Sequence, residues 1–472
     1  MGDDLKNKSI IIVFEGGVQE SEKIHQENIK NRVNASIVLY LNPIAFLKNK
    51  FRDFLKPDGI GVPSHILNLL LSVFTLALFV VFWIAAIFLL FFLRVTLSWK
   101  SYISFFKCLT LNKVLVGDGI LSSVMRSRYS RAILEDSFRF HFILSLYVSF
   151  FFAIWFYIVL LNWVCILIGI DKYHWIKDGI YINNSFRRLL SNKNSTEIRY
   201  ALGNYEFHQN YKSNRSVQIE ELYVNHEKKD SYNVENYSKA KDLINRIIDQ
   251  KIDTGFLSTE AFNYSNKLNV NKGLAASQRK SVVLFMHRYA DAQYGFGVDE
   301  FLDNNEWQNE TIDICLQCGL DIYIRPHPEM LVRTQWSFPS ELKYLDKLSH
   351  DYCIDLSDLN KNAIIETNKE RVFFISPFLN LREMQKIFGM YLCATHHGSV
   401  AVESAFLGHD VIASVASPYD KNLDIFIDFY STKEKYKELV VNWGQKSTKI
   451  EDEKLTAVLS FILRNNLRYK II

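Results

Sequence analysis

The sequence predicts an α/β protein made of two Rossmann-like domains, the first interrupted by two long apolar helices. Three observations predict it. After residue 280, short apolar runs alternate with helical patterns, the rhythm of a doubly wound parallel sheet. The chain opens with a strand, helix, strand pattern over residues 9–43. Between these stretches lie two uncharged runs, Ile66–Leu93 and Phe142–Ile170, of 28 and 29 residues, each longer than the roughly 20 residues needed to span hydrocarbon.

The opening elements are "SIIIVFEGG" (9–17), a buried-type strand ending in glycines, and "ASIVLYLNP" (35–43), a second strand closed by Asn-Pro. "KVLVGDGI" (113–120) reads as a third strand running into a turn, and "DGIYINNSFRRLL" (178–190) as a fourth followed by a helix. These place the N-terminal domain at 1–190. Residues 191–278 turn rich in Asn, Lys, Ser, Tyr and Glu and read as a connecting region, with "SKAKDLINRIIDQKID" (238–253) as an amphipathic helix within it.

The C-terminal domain, 279–472, carries the cleaner pattern. Strands are expected at 281–287, 320–328, 371–376, 391–397 and 410–415, and helices at 307–319, 379–390 and 398–408.

The apolar runs are bounded by Arg94, Trp99, Arg139, Tyr173 and Trp175, residues suited to a membrane interface. Residues 94–139 carry eight basic and three acidic side chains, and the first 65 residues nine and eight, so charge does not orient the first run. If both runs crossed the bilayer, strand 113–120 would be separated from its sheet. The expectation is therefore helices dipping into or lying along the cytoplasmic leaflet, with a two-span hairpin as the rival.

Bulk properties narrow the function. With 55 basic and 51 acidic residues the net charge is +4, and the basic residues form no stripe with interleaved aromatics, so nucleic acid is not an expected partner. The first nine residues are polar and "IIIVF" is too short for a signal core, which points to a reducing compartment. Cys315 and Cys318 form a C-x-x-C with no second pair to complete a zinc site, and read as ordinary thiols.

The chemistry-bearing residues gather at predicted strand ends, where a doubly wound sheet binds its ligand. "THHGSVAVESAFLG" (395–408) puts His396, His397, Gly398 and Ser399 between a strand and a helix. Glycine there allows close approach of a phosphate, and Ser399 can cap the helix and donate to an anion. Glu403 follows on the same helix, placed to meet a ribose or a cation. "IRPHPEM" places Arg325, His327 and Glu329 at another strand end, with prolines fixing the backbone on both sides of His327. The alternative for these residues is structural, with Ser399 only a cap and the histidines satisfying loop polar groups.

"RPHPE" and "THHGSVAVESAFLGHDVIAS" together resemble the C-terminal half of bacterial GT-B glycosyltransferases that build capsular and other surface polysaccharides. That grouping includes sialyl- and Kdo-transferases with an HP motif and a downstream serine motif. The resemblance covers roughly 281–420. It implies two domains facing a cleft, with a nucleotide-sugar donor held by the C-terminal one through His327 and Ser399, and His397 and Gly398 as neighbours. It also implies an acceptor in the N-terminal domain and catalysis without a metal or other cofactor, with CMP-linked sugars among the donors. Asp118, between glycines in "VGDGI", is similar to the acidic-residue-plus-glycine motif of those relatives and would be the catalytic base, with Glu15 in "FEGG" as rival. For both, a turn residue beside glycine is the plain alternative.

Further positions following strands are His287, Arg288 and Asp291, then Ser417, Pro418 and Tyr419, while Tyr181 and Arg187 resemble a tyrosine and an arginine found at a similar place in some of those relatives. The expected activity is a glycosyltransferase at the cytoplasmic membrane, its catalytic domains facing the cytoplasm. Its partners would be a nucleotide-sugar donor, a glycan or lipid-linked acceptor, membrane lipid and a polysaccharide-synthesis complex. A teichoic-acid type transferase of alditol phosphate from CDP-alditols, and a non-catalytic scaffold of a glycan-export assembly, are the alternatives.

Overall fold

The structure is a computed structural model that describes residues 9–13, 35–40, 62–111, 114–126, 138–167, 172–177, 195–201, 204–209, 234–249, 280–288, 299–331, 339–398, 400–415, 417 and 426–443. The chain divides into two compact units, the first holding residues 1–124 and 135–213, the second 125–134 and 214–472.

In the first unit, strands β1 (Ser9–Val13) and β2 (Ala35–Tyr40) pair in parallel. Helix α1 (Val62–Thr96) follows, then α2 (Trp99–Lys107), a two-residue antiparallel pair β3 (Thr110–Leu111) and β4 (Val114–Leu115), helix α3 (Gly117–Arg126) and helix α4 (Phe138–Leu167). Strands β5 (Lys172–Lys177), β6 (Ser195–Ala201) and β7 (Asn204–Gln209) complete a five-stranded sheet of order β2-β1-β5-β6-β7. All its neighbours are parallel except β6 and β7.

One sequence expectation changes here. The "KVLVGDGI" segment is not a strand of the sheet: β4 pairs only with β3, and Gly117 begins a helix. The glycine is required at that point, because a Cβ at 117 would lie 1.6 Å from the Phe106 carbonyl oxygen. With β4 outside the sheet, a two-span hairpin would part no strand of residues 113–120 from it. Residues 178–190 lie outside the described residues, and the strand beside β1 is β5, just before them. The sheet also continues past residue 190, through β6 and β7.

The apolar runs form one antiparallel helix pair. Phe74 packs near Phe156, Phe82 near Phe152 and Trp83 near Phe142, with ring centroids 6.5, 6.2 and 5.7 Å apart. The Trp83 indole also donates to the Ser145 hydroxyl at 3.0 Å. Both helices are long and apolar enough to cross a membrane, over Leu76–Thr96 and Phe138–Leu160. On α1, Phe88, Phe91 and Val95 are each about 70% exposed, at 71, 70 and 71%, a face that water would not tolerate over this extent.

The second unit contains helix α5 (Val234–Ile248), strand β8 (Ser281–Phe285), helix α6 (Asn304–Gln317) and β9 (Asp321–Arg325). Next come the one-turn helix α7 (Pro328–Leu331), helix α8 (Pro339–Tyr352), a 3-10 turn (Leu356–Asn360), β10 (Ile364–Glu366) and β11 (Val372–Ile375). Helix α9 (Leu381–Phe388), β12 (Tyr391–Thr395), α10 (Val400–Phe406), β13 (Asp410–Ser414), β14 (Asp428–Tyr430) and α11 (Lys433–Trp443) end the described chain.

Their sheet has seven strands in the order β10-β11-β9-β8-β12-β13-β14, all parallel except the edge strand β10. Counting only the parallel strands in chain order gives 3-2-1-4-5-6, the doubly wound arrangement. β8 and β12 are buried at every residue, as expected of strands covered on both sides, and so read as unbroken apolar runs rather than alternating ones.

Local chemistry sets the helix limits. Asp303 caps α6 by accepting the Glu306 N–H at 2.8 Å, and the Glu306 carboxylate accepts the Leu302 N–H at 2.6 Å, a reciprocal arrangement close to a capping box. The helix closes on Gly319 at φ +69, a conformation side chains resist. Asn380 caps α9 in the same way. Helix α5, expected in a connecting region, contributes Ile244 and Ile248 to the core under the sheet, and Arg382 bonds Asp249 at 2.9 Å.

Candidate functional site

The strand order of the second unit reverses between β8 and β12, and it is at this point that the carboxyl ends of neighbouring strands part to leave a crevice. The sequence places a histidine or a pair of them just past β8, β9 and β12: His287, His327, and His396 with His397. The ladder holds these ends together beyond the strands. The Met286 N–H donates to the Arg325 carbonyl at 2.9 Å, and the Ser414 N–H to the His396 carbonyl at 3.1 Å.

Three of these imidazoles, those of His287, His396 and His397, are in contact. His287 and His397 stack with centroids 3.8 Å apart and planes 19° from parallel. His287 Nε2 accepts the His397 backbone N–H at 3.2 Å and lies 3.1 Å from the Thr395 hydroxyl. Nδ1 of His396 and Nδ1 of His397 are 2.9 Å apart. On its other side His396 Nε2 lies 2.8 Å from Asp299 Oδ2. That carboxylate also accepts the Ser414 hydroxyl at 2.5 Å and the Phe301 N–H at 3.1 Å.

Burial holds the His287 and His397 rings well below their ordinary value of 6.5, and neighbouring imidazoles, His327 among them, push in the same direction. Asp299 pulls His397 partly back. His396 and His397 are nearly covered, at 5 and 9% exposure, while His287 and His327 are partly exposed.

Gly398 has a local reason to be glycine. An added Cβ would lie 2.9 Å from Cε1 of His287 and 3.0 Å from the Thr395 hydroxyl oxygen, so the residue makes room for an imidazole of this same chain.

The other expected residues separate into three groups. Arg325 is turned inward: its guanidinium donates to the carbonyls of Pro377 and Leu379 at 2.7 and 2.9 Å and sits 5.3 Å from the Phe285 ring centre. Those are bonds that hold the β9 end to the chain after β11. Arg288 makes a two-pronged pair with Glu341 of α8, at 3.1 and 2.8 Å, and both side chains are buried. Asp118 stands in the first turn of α3 rather than at a strand end, wholly buried, with Oδ1 accepting the Gly119 N–H at 2.7 Å.

Glu329 is on α7 and Glu403, half-buried, on α10. Ser417 is buried beyond β13. Ser399, Glu15, Asp291, Tyr181, Arg187, Pro418 and Tyr419 lie outside the described residues. Cys315 is buried in α6 and Cys318 exposed at its end, and among the described residues no group of His, Cys, Asp and Glu is placed to hold a metal ion.

Sequence reasoning missed Asp299. It stands in "GFGVDEFLD" (295–303), where Asp303 carries the visible capping signal, and nothing in the local pattern ties Asp299 to a histidine so distant in the chain.

No protein-family model matches the sequence, and no curated protein matches it. Among solved structures, the chain is similar to Thermosulfurimonas dismutans KpsC, a beta Kdo 2,4 transferase, at 14% identity over 62% of this chain and 79% of that one. The TM-score is 0.35, a superposition too loose to assign a fold or an activity.

Proposed function

We propose that this chain is a membrane-associated glycosyltransferase that moves a sugar from a nucleotide-activated donor to a surface polysaccharide or lipid-linked glycan. The observation that supports it most is the convergence of four imidazoles on the carboxyl ends of β8, β9 and β12, where the strand order reverses. A sheet of this order binds its ligand there. Imidazoles with fixed partners can meet the charge that develops on a departing phosphate oxygen.

In the proposed reaction an acceptor hydroxyl attacks the anomeric carbon. The bond from that carbon to the donor phosphate breaks, and the nucleotide leaves with the electron pair. His327, held between two prolines and partly exposed, donates to the leaving oxygen, a role that the sequence resemblance shares with Ser399. The hydroxyl proton must pass to a base; of the two carboxylates expected for that role, Asp118 is wholly buried in the first turn of α3 and Glu15 lies outside the described residues. The apolar pair α1 and α4 gives the chain a reason to meet an acceptor anchored in lipid, since confinement to one surface raises its effective concentration.

The test is release of free nucleotide by the full chain in detergent, offered CMP-, UDP- and GDP-sugars alongside CDP-alditols. Turnover with a nucleotide sugar is expected, and His327→Ala is expected to lower it by on the order of 100-fold or more. Turnover with CDP-alditols alone would move the activity to alditol-phosphate transfer. Binding of none of these donors would reject a donor site altogether.

A further inference from the structure

We propose that Asp299 is a positioning residue that joins His396 and His397 into one proton-holding pair, so that a phosphate anion binding at these strand ends brings a proton with it. This rests on the reading of the strand ends as a donor-phosphate site, which it deepens by assigning the charge that would balance the anion.

Asp299 Oδ1 accepts a backbone N–H, and Oδ2 faces both the Ser414 hydroxyl and His396 Nε2. A carboxyl group met by donors on both oxygens is an ionised acceptor. His396 therefore carries its proton on Nε2, which leaves its Nδ1 facing Nδ1 of His397 across 2.9 Å. Two bare nitrogens cannot hold that distance favourably, so in the neutral pair the proton between them belongs to His397 Nδ1.

Adding one proton from bulk water forms one new N–H bond and leaves two places for the charge. On His397 it would sit against the stacked ring of His287, 3.8 Å away, and near His327. On His396 it would sit 2.8 Å from the Asp299 carboxylate. The second arrangement is favoured by direct charge pairing in a site closed to water. It requires only that the shared proton move from His397 Nδ1 to His396 Nδ1, with His397 taking the incoming proton on Nε2. The cation then rests beside Asp299 while His397 remains neutral, consistent with the burial that resists a charge on that ring.

The groups facing the pair from each neighbouring element agree with this. Past β8 the stacked His287 ring, kept neutral by burial, offers no counter-charge to His397, and past β9 His327 disfavours a charge there. Helix α6 presents the edge of Trp307 to His396, centroids 6.0 Å apart. β13 supplies the Ser414 hydroxyl, and β14 supplies the Tyr430 phenol, which burial and Asp299 keep protonated. Asp299 is thus the carboxylate that the described structure sets against the pair.

The experiment has two arms on the full chain in detergent. In the first, 15N-histidine-labelled protein without ligand is examined by NMR near pH 7.5, with His396→Gln and His397→Gln giving the assignments. The expected spectrum shows His396 as the Nε2–H tautomer, His397 as the Nδ1–H tautomer, and a nitrogen–nitrogen coupling between the two rings. Asp299→Asn is expected to turn His396 into a mixture of tautomers. Finding His396 as the Nδ1–H tautomer in the wild type, or unchanged by Asp299→Asn, overturns the proposal. If that variant does not fold, the wild-type tautomers alone decide.

In the second arm, calorimetry with CMP and with UDP in buffers of different ionisation enthalpy measures proton uptake. Uptake approaching one proton per bound nucleotide, lost in Asp299→Asn, supports the relay. Binding without uptake overturns the relay and leaves the donor site standing. The expected tautomers with no nucleotide binding support the pair and reject the donor site.

Discussion

The sheet of the second unit and the helix pair of the first use the same side chains in opposite ways. In the sheet, Val, Leu, Ile and Phe from β8, β9 and β11 are enclosed, and Val282, Leu284, Ile324 and Phe374 have no exposed surface. On α1 the same residue types face outward over several turns, with Phe88 and Phe91 among them. The residue types are shared by the two places; what differs is their exposure. The strands hide from water inside protein, whereas α1 leaves large apolar side chains exposed on a helix long and apolar enough to cross a membrane.

The sharpest way to break this comparison is to truncate matched aromatics. Phe374→Ala is expected to cost about 3–5 kcal/mol of stability, because a wholly buried ring leaves a cavity. Phe88→Ala should leave the thermal midpoint in detergent within about 0.5 kcal/mol of wild type. Equal losses would mean that α1 is packed against protein in solution. Next in size, Phe88→Arg is expected to weaken membrane association by about 2.5–3.5 kcal/mol, read by flotation with liposomes, with no change in the melt of the second unit.

A smaller effect follows acid. Above 6.5, the ordinary value for a histidine, the His287 and His397 rings are neutral in the folded and the unfolded chain alike. Below it, the unfolded chain binds protons that the buried rings refuse. Stability therefore falls as pH drops, by at most about 1.4 kcal/mol per pH unit for each ring. Denaturant midpoints between pH 7.5 and 5.5 measure the slope, and His287→Gln is expected to reduce it. Smallest of all, Cys318→Ser, at an exposed position, should stay within about 0.5 kcal/mol.

The parts of the fold that were legible in the sequence are those governed by local pattern. β8, β9, β12 and β13 announce themselves as apolar runs bounded by helical periods, and Gly319 marks the end of α6 by the backbone conformation it alone adopts easily. "KVLVGDGI" looked like a strand for the same reason and is not one of the sheet. Apolar residues beside glycines satisfy a buried strand and a short β4 leading into a helix equally well, and the pairing of β4 with β3 and the helix that begins at Gly117 decide between them. The short edge strand β10 and β14 gave too few residues to show a period.

The candidate site divides along the same line. His327, His396 and His397 were visible because proline, glycine and histidine at strand ends are uncommon together. The sequence sets Arg325 at a strand end where a ligand is expected, yet its guanidinium faces the carbonyls of Pro377 and Leu379. Residue type names the charge but not its direction.

The sequence by itself determined that this is an α/β chain with two hydrocarbon-compatible helices and histidines at the ends of parallel strands, since hydrophobic period and glycine and proline chemistry act over a few residues. Tertiary structure alone decided that His287 lies on His397, that Gly398 serves an imidazole and that Asp299 faces His396. Those contacts depend on which strands become neighbours, and strand order is set by the packing of the whole sheet rather than by any stretch of chain within it.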